Sequence, residues 1–595
     1  MLCCGLRSGR FHLLSPSSNP SGSPESPLGS EPASESRRSQ EGSPVVKEHA
    51  DRVVDRHSGL LLRTLLVSAL TLVSRLLGFV REILSAVLFG ANSAVFDAFL
   101  TAWRVPNLFR RFFGEGALST SLQTVLTQVD HEQGDEAGRL VFGRTLRVTT
   151  WILAAVCAGS MLALFLLAPT LHTGWLGELE GAGAALELAI RMLPFVLLIC
   201  LAALFAGALA VRGHFFSSNL APVALNVVWI GSLLALLGGA AGSEPLTQVR
   251  WLAGAVLLAG ATQLLVQLPA AFRFGLLRSR RSSPPASGSD PGVGGWTVFA
   301  RSAPLAFGAA VYQINVLVDG LMAESLLPVG GPTAHYYANR IQQFPLALIA
   351  TATSSAVFPA LNALGAVGRL GELRALHDRA QLAVAFLAFP ASFCLLFLAP
   401  EISAGILEHG KFEADGAARV ASALGLLGLA LLPAGAAGLA SRVYYSLGDL
   451  RTPVRLSCAM LIVNLALNAV FLLGLDFDVE GLAAATALTS WLHLLLLLPG
   501  MRRLGLPRAH KRDVRHGFEL LVTGALAGLA ARAAGSGIAR VAGESAGPGG
   551  GTAIDWAVIL GGGITAALVT LGIARWQRFP ELDVVVAKLA RRRSR

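Results

Sequence analysis

The stretch "SRLLGFVREILSAVLFGANSAVFDAFLTAWRVPNLFRRFFGEG", Ser74 to Gly116, has the apolar content of a membrane-embedded helix, yet Arg75, Arg81, Glu82, Asp97, Arg104, Arg110 and Arg111 interrupt it. A guanidinium is always protonated and offers two parallel N–H donors to a pair of phosphate oxygens. Several arginines facing one cavity would therefore bind a multiply charged anion such as a diphosphate. Asp97 would hold one of these arginines in place or gate it. Arg340, in the middle of another apolar segment, has the same character. Bond-making chemistry has no such foothold: the chain contains no Walker loop, HExxH, DDxxD-type cluster or Ser/His/Asp grouping. His214, His335 and His409 are scattered near the ends of apolar stretches, where imidazoles are interfacial rather than catalytic. Cys3, Cys4, Cys157, Cys200, Cys394 and Cys458 have neither metal-ligand nor CxxC spacing and read as packing residues.

The elements that must position these charges are membrane helices. Of 595 residues 53% are hydrophobic and 14% charged, and the mean hydropathy is +0.59. That composition belongs to an integral membrane protein rather than to a soluble domain with a large core. Apolar stretches of about 20 residues match the length an α-helix needs to cross the hydrocarbon, and the alternation of a β-barrel is missing. The net charge of +11 sits in short loops between apolar spans, which argues for membrane topology and against a nucleic-acid partner.

Residues 1–59, rich in Ser, Pro and Gly, read as a disordered cytoplasmic tail. Fourteen spans are expected, near 60–89, 94–127, 141–169, 187–211, 220–240, 250–272, 296–326, 333–362, 379–400, 417–446, 453–474, 480–499, 517–542 and 553–575. Every even-numbered loop carries arginine or lysine, as in "RFGLLRSRRS", "GDLRTPVR" and "MRRLGLPRAHKRDVRH", whereas odd loops such as "LDFDVEG" and "GGAAGSEP" do not. Both termini are therefore expected in the cytoplasm.

"SSPPASGSDPGVGG", Ser282 to Gly295, separates spans six and seven like a linker, and the sequence echoes itself across it. "LAVRGHFFSSNLAPV" at 209–223 resembles "LASRVYYSLGDLRTPV" at 439–454, pairing Arg212 with Arg442; "TAWRVPNLF" resembles "YANRIQQFP", pairing Arg104 with Arg340. The expected fold is all-α, with two six-helix lobes, 60–275 and 296–500, related by a pseudo-two-fold axis along the membrane normal. A cytoplasmic linker at 276–295 joins them, and 501–595 adds two helices and a basic tail. Such repeats place a central site between two lobes.

A charge at the bilayer centre costs about 2.5–3.5 kcal/mol, so several facing lipid would together cost roughly 10 kcal/mol. They must line a hydrated cavity or pair with one another. The alternative for Arg104, Arg110 and Arg111 is to snorkel to the interface. Arg75 is mid-span with no adjacent acid.

The segments "SRLLGFVRE", "FDAF", "RVPNLFRRFFGEGALS", "YYANRIQQFP", "GKF" at 410–412 and "YSLGDLRTPV" together resemble the MurJ (MviN) family of lipid II flippases, in the multidrug/oligosaccharidyl-lipid/polysaccharide exporter superfamily. The resemblance covers roughly residues 60–500. It implies a multi-pass protein of the bacterial cytoplasmic membrane that moves undecaprenyl-pyrophosphate-linked peptidoglycan precursor from the inner to the outer leaflet. Lipid II and the bilayer are then its partners, with other cell-wall synthesis proteins as further candidates, and spans thirteen and fourteen form the lipid-tail groove. The family's essential arginines fall on Arg75, Arg81, Arg110 and Arg340, and its acidic partner on Asp97. The chain departs from the family at Asn339 and Gln343, where many members carry acids.

Some members are taken to bind sodium. The matching positions here are Asp319, Asn464, Asn468 and Thr486; Asn464 and Asn468 are one helical turn apart and share a face. Oxygen ligands suit a hard cation, while the asparagines could equally hydrogen-bond between helices. No other cofactor is implied. An outward-moving dianionic head is driven by the membrane potential, about 2.3 kcal/mol per charge per 100 mV, with sodium as an optional second driver. Two alternatives stay open: a related exporter of drugs or other lipid-linked glycans, and a membrane enzyme acting on polyprenyl phosphates.

Overall fold

The computed structural model describes residues 44–110, 117–173, 182–277, 296, 313–508, 510–543 and 551–582. The chain divides into two compact units, Met1–Leu62 and Arg63–Arg595. In the first, residues 44–62 are helical; all contacts below belong to the second.

The described residues form helices and no strand. In chain order these are α1 (Pro44–Phe89), α2 (Ala94–Phe109), α3 (Ala117–Gln133), α4 (Asp135–Thr173), α5 (Ala182–Met192), α6 (Pro194–Val211), α7 (Phe216–Leu237), α8 (Pro245–Leu265) and α9 (Leu268–Arg273). After α10, residues 313–326, come α11 (Gly331–Ala366), α12 (Leu370–Phe397), α13 (Ala399–Leu407), α14 (Ala414–Gly428), α15 (Leu431–Ser446), α16 (Arg451–Ala469), α17 (Val479–Gly500), α18 (Lys511–Gly543) and α19 (Gly551–Trp576). Among the described residues nine helical spans are long and apolar enough to cross a membrane, or ten if α14 and α15, bent by 42°, form one. The protein is an all-α integral membrane protein.

One expectation changes, and one expected span is described in two pieces. The tail expected to be disordered through residue 59 is helical from Pro44. Proline is pre-organised for the first helical turn. The span expected over 94–127 is described as α2 to Phe109 and α3 from Ala117, with residues 111–116 outside the described residues; α3 carries Gln123, Gln128, Asp130, His131 and Glu132 and is amphipathic. Its Leu122, Val125, Leu126 and Val129 are buried against α4 and α6. Residues 1–43, Arg111, most of the linker expected at 276–295 and the basic tail from 583 lie outside the described residues.

In the first half α2 packs on α5 and α8, and α7 on α8; in the second, α11 packs on α12, α14, α15 and α17. Between the halves, α2 meets α11. The last two helices join the second half through a GxxxG notch. A Cβ at Gly524 would lie 2.6 Å from Phe389 Cβ, and one at Gly528 2.5 Å from Phe393 Cβ, so small residues let α18 approach α12 closely.

Candidate functional site

Glu82 is the centre of a charged cluster between the two halves. It is 5% exposed and takes donors from both sides of the α1–α11 contact. Arg81 Nη2 donates to Oε1 at 2.5 Å, Arg340 Nε lies 3.2 Å from the same oxygen, and the Tyr336 hydroxyl donates at 3.1 Å to Oε2. Tyr336 and Arg340, four apart on α11, share the face turned to α1. The Tyr337 hydroxyl donates to the Glu82 carbonyl at 3.3 Å.

Helix α7 fixes Arg81 from behind. Asn226 Oδ1 accepts from Arg81 Nη1 at 3.3 Å and its Nδ2 donates to the Ser74 carbonyl at 2.9 Å. One turn on, the Trp229 ring lies 4.4 Å beneath the guanidinium, held edge-on by Trp103 of α2 at 5.1 Å. Two guanidinium groups share one carboxylate, leaving a net positive charge. The Arg340 side chain, 35% exposed against 9% for Arg81, is the part of the cluster that reaches open space.

Asp97 bonds across the boundary between the halves and also faces Arg104. Its carboxylate accepts the Gly330 N–H at 2.7 Å, the Thr333 N–H at 2.9 Å and the Thr333 hydroxyl at 2.5 Å. Those are orphan donors at the start of α11, so a side chain of one half caps a helix of the other. Gly330 has φ +86°, a left-handed conformation that favours glycine. The end of α1 adds a second contact at the same place. The Lys411 N–H donates to the Val87 carbonyl at 3.0 Å, and a Cβ at Gly410 would sit 2.7 Å from that oxygen. The "GKF" segment at 410–412 is thus a backbone seam rather than a ligand loop.

The other sequence candidates are spread along these helices. Arg75 is exposed and makes no ion pair among the described residues. Arg110 sits at the opposite end of α2 from Asp97, about 20 Å away at 1.5 Å per residue, where its Nη2 donates to Asn107 Oδ1 at 2.9 Å. Arg104 does not snorkel. It is 9% exposed and lies across Gly320 of α10, where any Cβ would overlap it, with Glu324, Asp97 and Asp319 as the acids that face it. Thr101 of α2 donates to Glu324 Oε2 at 2.7 Å, a further bond between the halves.

Asp319, Asn464 and Asn468 come together. Asn468 Nδ2 donates to Asp319 Oδ1 at 2.7 Å and to Asn464 Oδ1 at 3.2 Å. Asn464 Nδ2 reaches Thr489 Oγ1 at 3.4 Å. Thr486 is one turn away, its carbonyl accepting from the Ser490 hydroxyl at 2.7 Å. Among the described residues the buried Asn468 Oδ1 has no hydrogen-bond partner. An orphaned carbonyl oxygen beside a carboxylate fits a hard cation.

The motif "YSLGDLRTPV" builds a helix junction. Gly448, at φ +81°, ends α15, and Asp449 Oδ1 accepts from the N–H groups of Arg451 and Thr452, both at 3.0 Å. Burial alone would raise the Asp449 carboxyl, but the hydrogen bonds from Thr452 and Arg451 and the charge of Arg455 hold it below the usual carboxylate range.

A family model described as "Lipid II flippase MurJ" matches residues 85–535. The chain belongs to this MurJ family. It is similar to the "Lipid II flippase MurJ" of Burkholderia cenocepacia, 31% identical over 455 residues, covering 75% of this chain and 84% of that one. The "Probable lipid II flippase MurJ" of Vibrio cholerae is 33% identical over 487 residues, covering 78% and 87%. A solved structure described as the lipid II flippase MurJ in an inward closed conformation shares its fold. Their TM-score is 0.66 at 20% identity, covering 86% of this chain and 99% of that one. An inward-facing multidrug resistance MATE transporter gives 0.56 at 15% identity, covering 74% and 98%. Asp97, Arg110, Arg340 and the Asp319 cluster fall inside the stretch matched by the MurJ family model; Arg75, Arg81 and Glu82 precede it.

Reasoning from sequence missed the bonds that make the site. Glu82 stands out only as a buried acid next to an arginine. Asn226, Trp229, Gly330, Thr333, Tyr336 and Thr489 are ordinary helix residues until the fold brings them to their partners.

Proposed function

We propose that this protein carries lipid II from the cytoplasmic to the outer leaflet by alternating access of its two halves. The observation that carries the reading is the Arg81–Glu82–Arg340 cluster at the contact between α1 and α11. Membership of a flippase family and the absence of catalytic motifs favour transport over an enzyme acting on polyprenyl phosphates.

In this reading the loops at 90–93, 327–330 and 408–413 lie on the outer side, because the loops at the other helix ends carry the arginines. The bonds from Asp97 to α11 and from Lys411 to Val87 then close the outer side. The diphosphate head enters from the cytoplasm and displaces the Glu82 carboxylate from Arg340, the more open partner. Glu82 keeps both guanidinium forks oriented until the anion arrives, so the site needs little reorganisation. Arg75 and Arg110 supply further positive charge along α1 and α2, and the groove of α18 and α19 takes the lipid tail. The membrane potential drives the anionic head outward, at about 2.3 kcal/mol per net charge per 100 mV. A sodium ion held by Asp319, Asn468 and Asn464 biases the second half. Depleting the protein in a bacterium that has no other flippase and locating lipid II tests the reading: accumulation in the inner leaflet supports it, and an unchanged distribution refutes it.

A further inference from the structure

The Arg419 guanidinium, on the first turns of α14, joins three segments. Its Nε donates to Asp478 Oδ2 at 2.7 Å and its Nη2 to Asp478 Oδ1 at 2.8 Å, a two-pronged pair with the residue that precedes α17. Its third nitrogen, Nη1, donates to the Val329 carbonyl at 2.8 Å. Val329 immediately precedes Gly330, whose N–H is one of the donors to Asp97.

Gly330 is compressed between the two halves. A Cβ there would stand 2.4 Å from Asn92 Oδ1 and 2.8 Å from the Ala91 carbonyl on one side, and 3.0 Å from Arg419 Nη1 on the other. Arg419 thus backs the turn that the first half grips from the front. The geometry points to Arg419 as the positioning residue of the outer gate: anchored by Asp478, it holds the 329–333 turn so that the Gly330 and Thr333 N–H groups stay aimed at Asp97. Arg419 makes its directed bonds to this turn and to Asp478, and reaches Asp97 of the first half through its charge. Three directed bonds from one planar group explain an arginine here, since a lysine cannot make the paired contact to Asp478 and reach Val329 together.

The inference rests on the alternating-access reading for the word gate, but the latch can be measured without lipid II. Amide hydrogen exchange on the full chain in lipid nanodiscs would compare wild type with Arg419→Gln, Arg419→Lys, Asp478→Asn, Asp97→Asn and Arg419→Gln/Asp97→Asn. Loss of a charge-assisted bond corresponds to at least about a tenfold change in an opening equilibrium. Arg419→Gln and Asp478→Asn should therefore speed exchange about tenfold at residues 327–333 and also at 409–412, where the Lys411 amide reports separation of the halves. Arg419→Lys should fall between, and the double variant should exchange no faster at 409–412 than Asp97→Asn alone. Residues of α18 and α19, exchanging as in wild type, control for folding, and Asp478→Asn removes the same clamp if Arg419→Gln fails to fold. Faster exchange confined to 327–333 with 409–412 unchanged, or additive effects in the double variant, would overturn the proposal. If the latch responds as expected but the wild-type chain cannot restore wall synthesis in a flippase-depleted bacterium, the transport substrate is wrong and the latch stands.

Discussion

Arg340 Nε lies 3.2 Å from Glu82 Oε1, joining residues 258 positions apart in the chain. The contact supplies across the lobe boundary the acid that Asn339 and Gln343 do not supply within α11. It also explains how a mostly apolar helix pair tolerates Arg81 at 9% side-chain exposure, since the cost of burying a charge is offset only by close pairing and further hydrogen bonds.

Removing Glu82 leaves two cations facing each other. Breaking a buried pair typically costs about 3–5 kcal/mol, so Glu82→Ala should lower thermal stability strongly, and Glu82→Ala combined with Arg340→Ala should recover part of it. Melting of the purified protein checks this. Equal stability of wild type and Glu82→Ala would mean that the carboxylate is not the hub of the cluster.

Gly330→Ala should disturb the gate rather than the binding cluster. A left-handed conformation costs an alanine about 1–2 kcal/mol, and the added Cβ meets Asn92 and Ala91. Exchange at 409–412 should rise while the tertiary packing of Trp229 with Trp103, read from near-ultraviolet circular dichroism, stays as in wild type.

For the Asp319 cluster, sodium-dependent thermal stabilisation is the readout. Sodium should stabilise the wild type more than potassium or choline does, and Asp319→Asn should abolish the difference while lipid II affinity changes little. Equal stabilisation by all three salts would reduce Asn464 and Asn468 to interhelical hydrogen bonding.

Asp449 gives a pH signature outside the membrane. Its carboxyl is held below the usual range, so its contribution to stability is present above the unfolded-state value and lost as pH falls through the lower folded value. Asp449→Ala should cost about 1 kcal/mol at neutral pH, as for a helix cap, and should flatten the decline of melting temperature in acid. An identical acid decline in the variant would assign it to other carboxylates.

The membrane class and most helices were legible because hydropathy is a property of contiguous residues, and the arginines of the cluster because charge in an apolar run is costly wherever it points. Partner choice was not legible. Asp97 reads in sequence as a residue that holds or gates an arginine; that it also caps α11 was hidden, because the helix N-terminus with its two oriented N–H groups is brought alongside only by the fold. The amphipathic character of α3 was hidden by the apolar residues on its buried face, which extend the apparent span. The Thr489 hydroxyl, one turn from Thr486, accepts from Asn464 Nδ2, because rotation along α17 decides which hydroxyl faces α16, a detail below the resolution of a hydropathy reading.

The most direct test of the account places lipid II in the inner leaflet of vesicles containing the purified protein. Its appearance outside is then followed with an impermeant lipid II-binding probe under an inside-negative potential. Wild-type protein should speed the transfer, Arg81→Ala and Arg340→Ala should leave it near the protein-free rate, and Arg340→Lys should restore it poorly because a point charge lacks the paired donors. Transfer by the wild type at the protein-free rate, or undiminished transfer by both alanine variants, would contradict it.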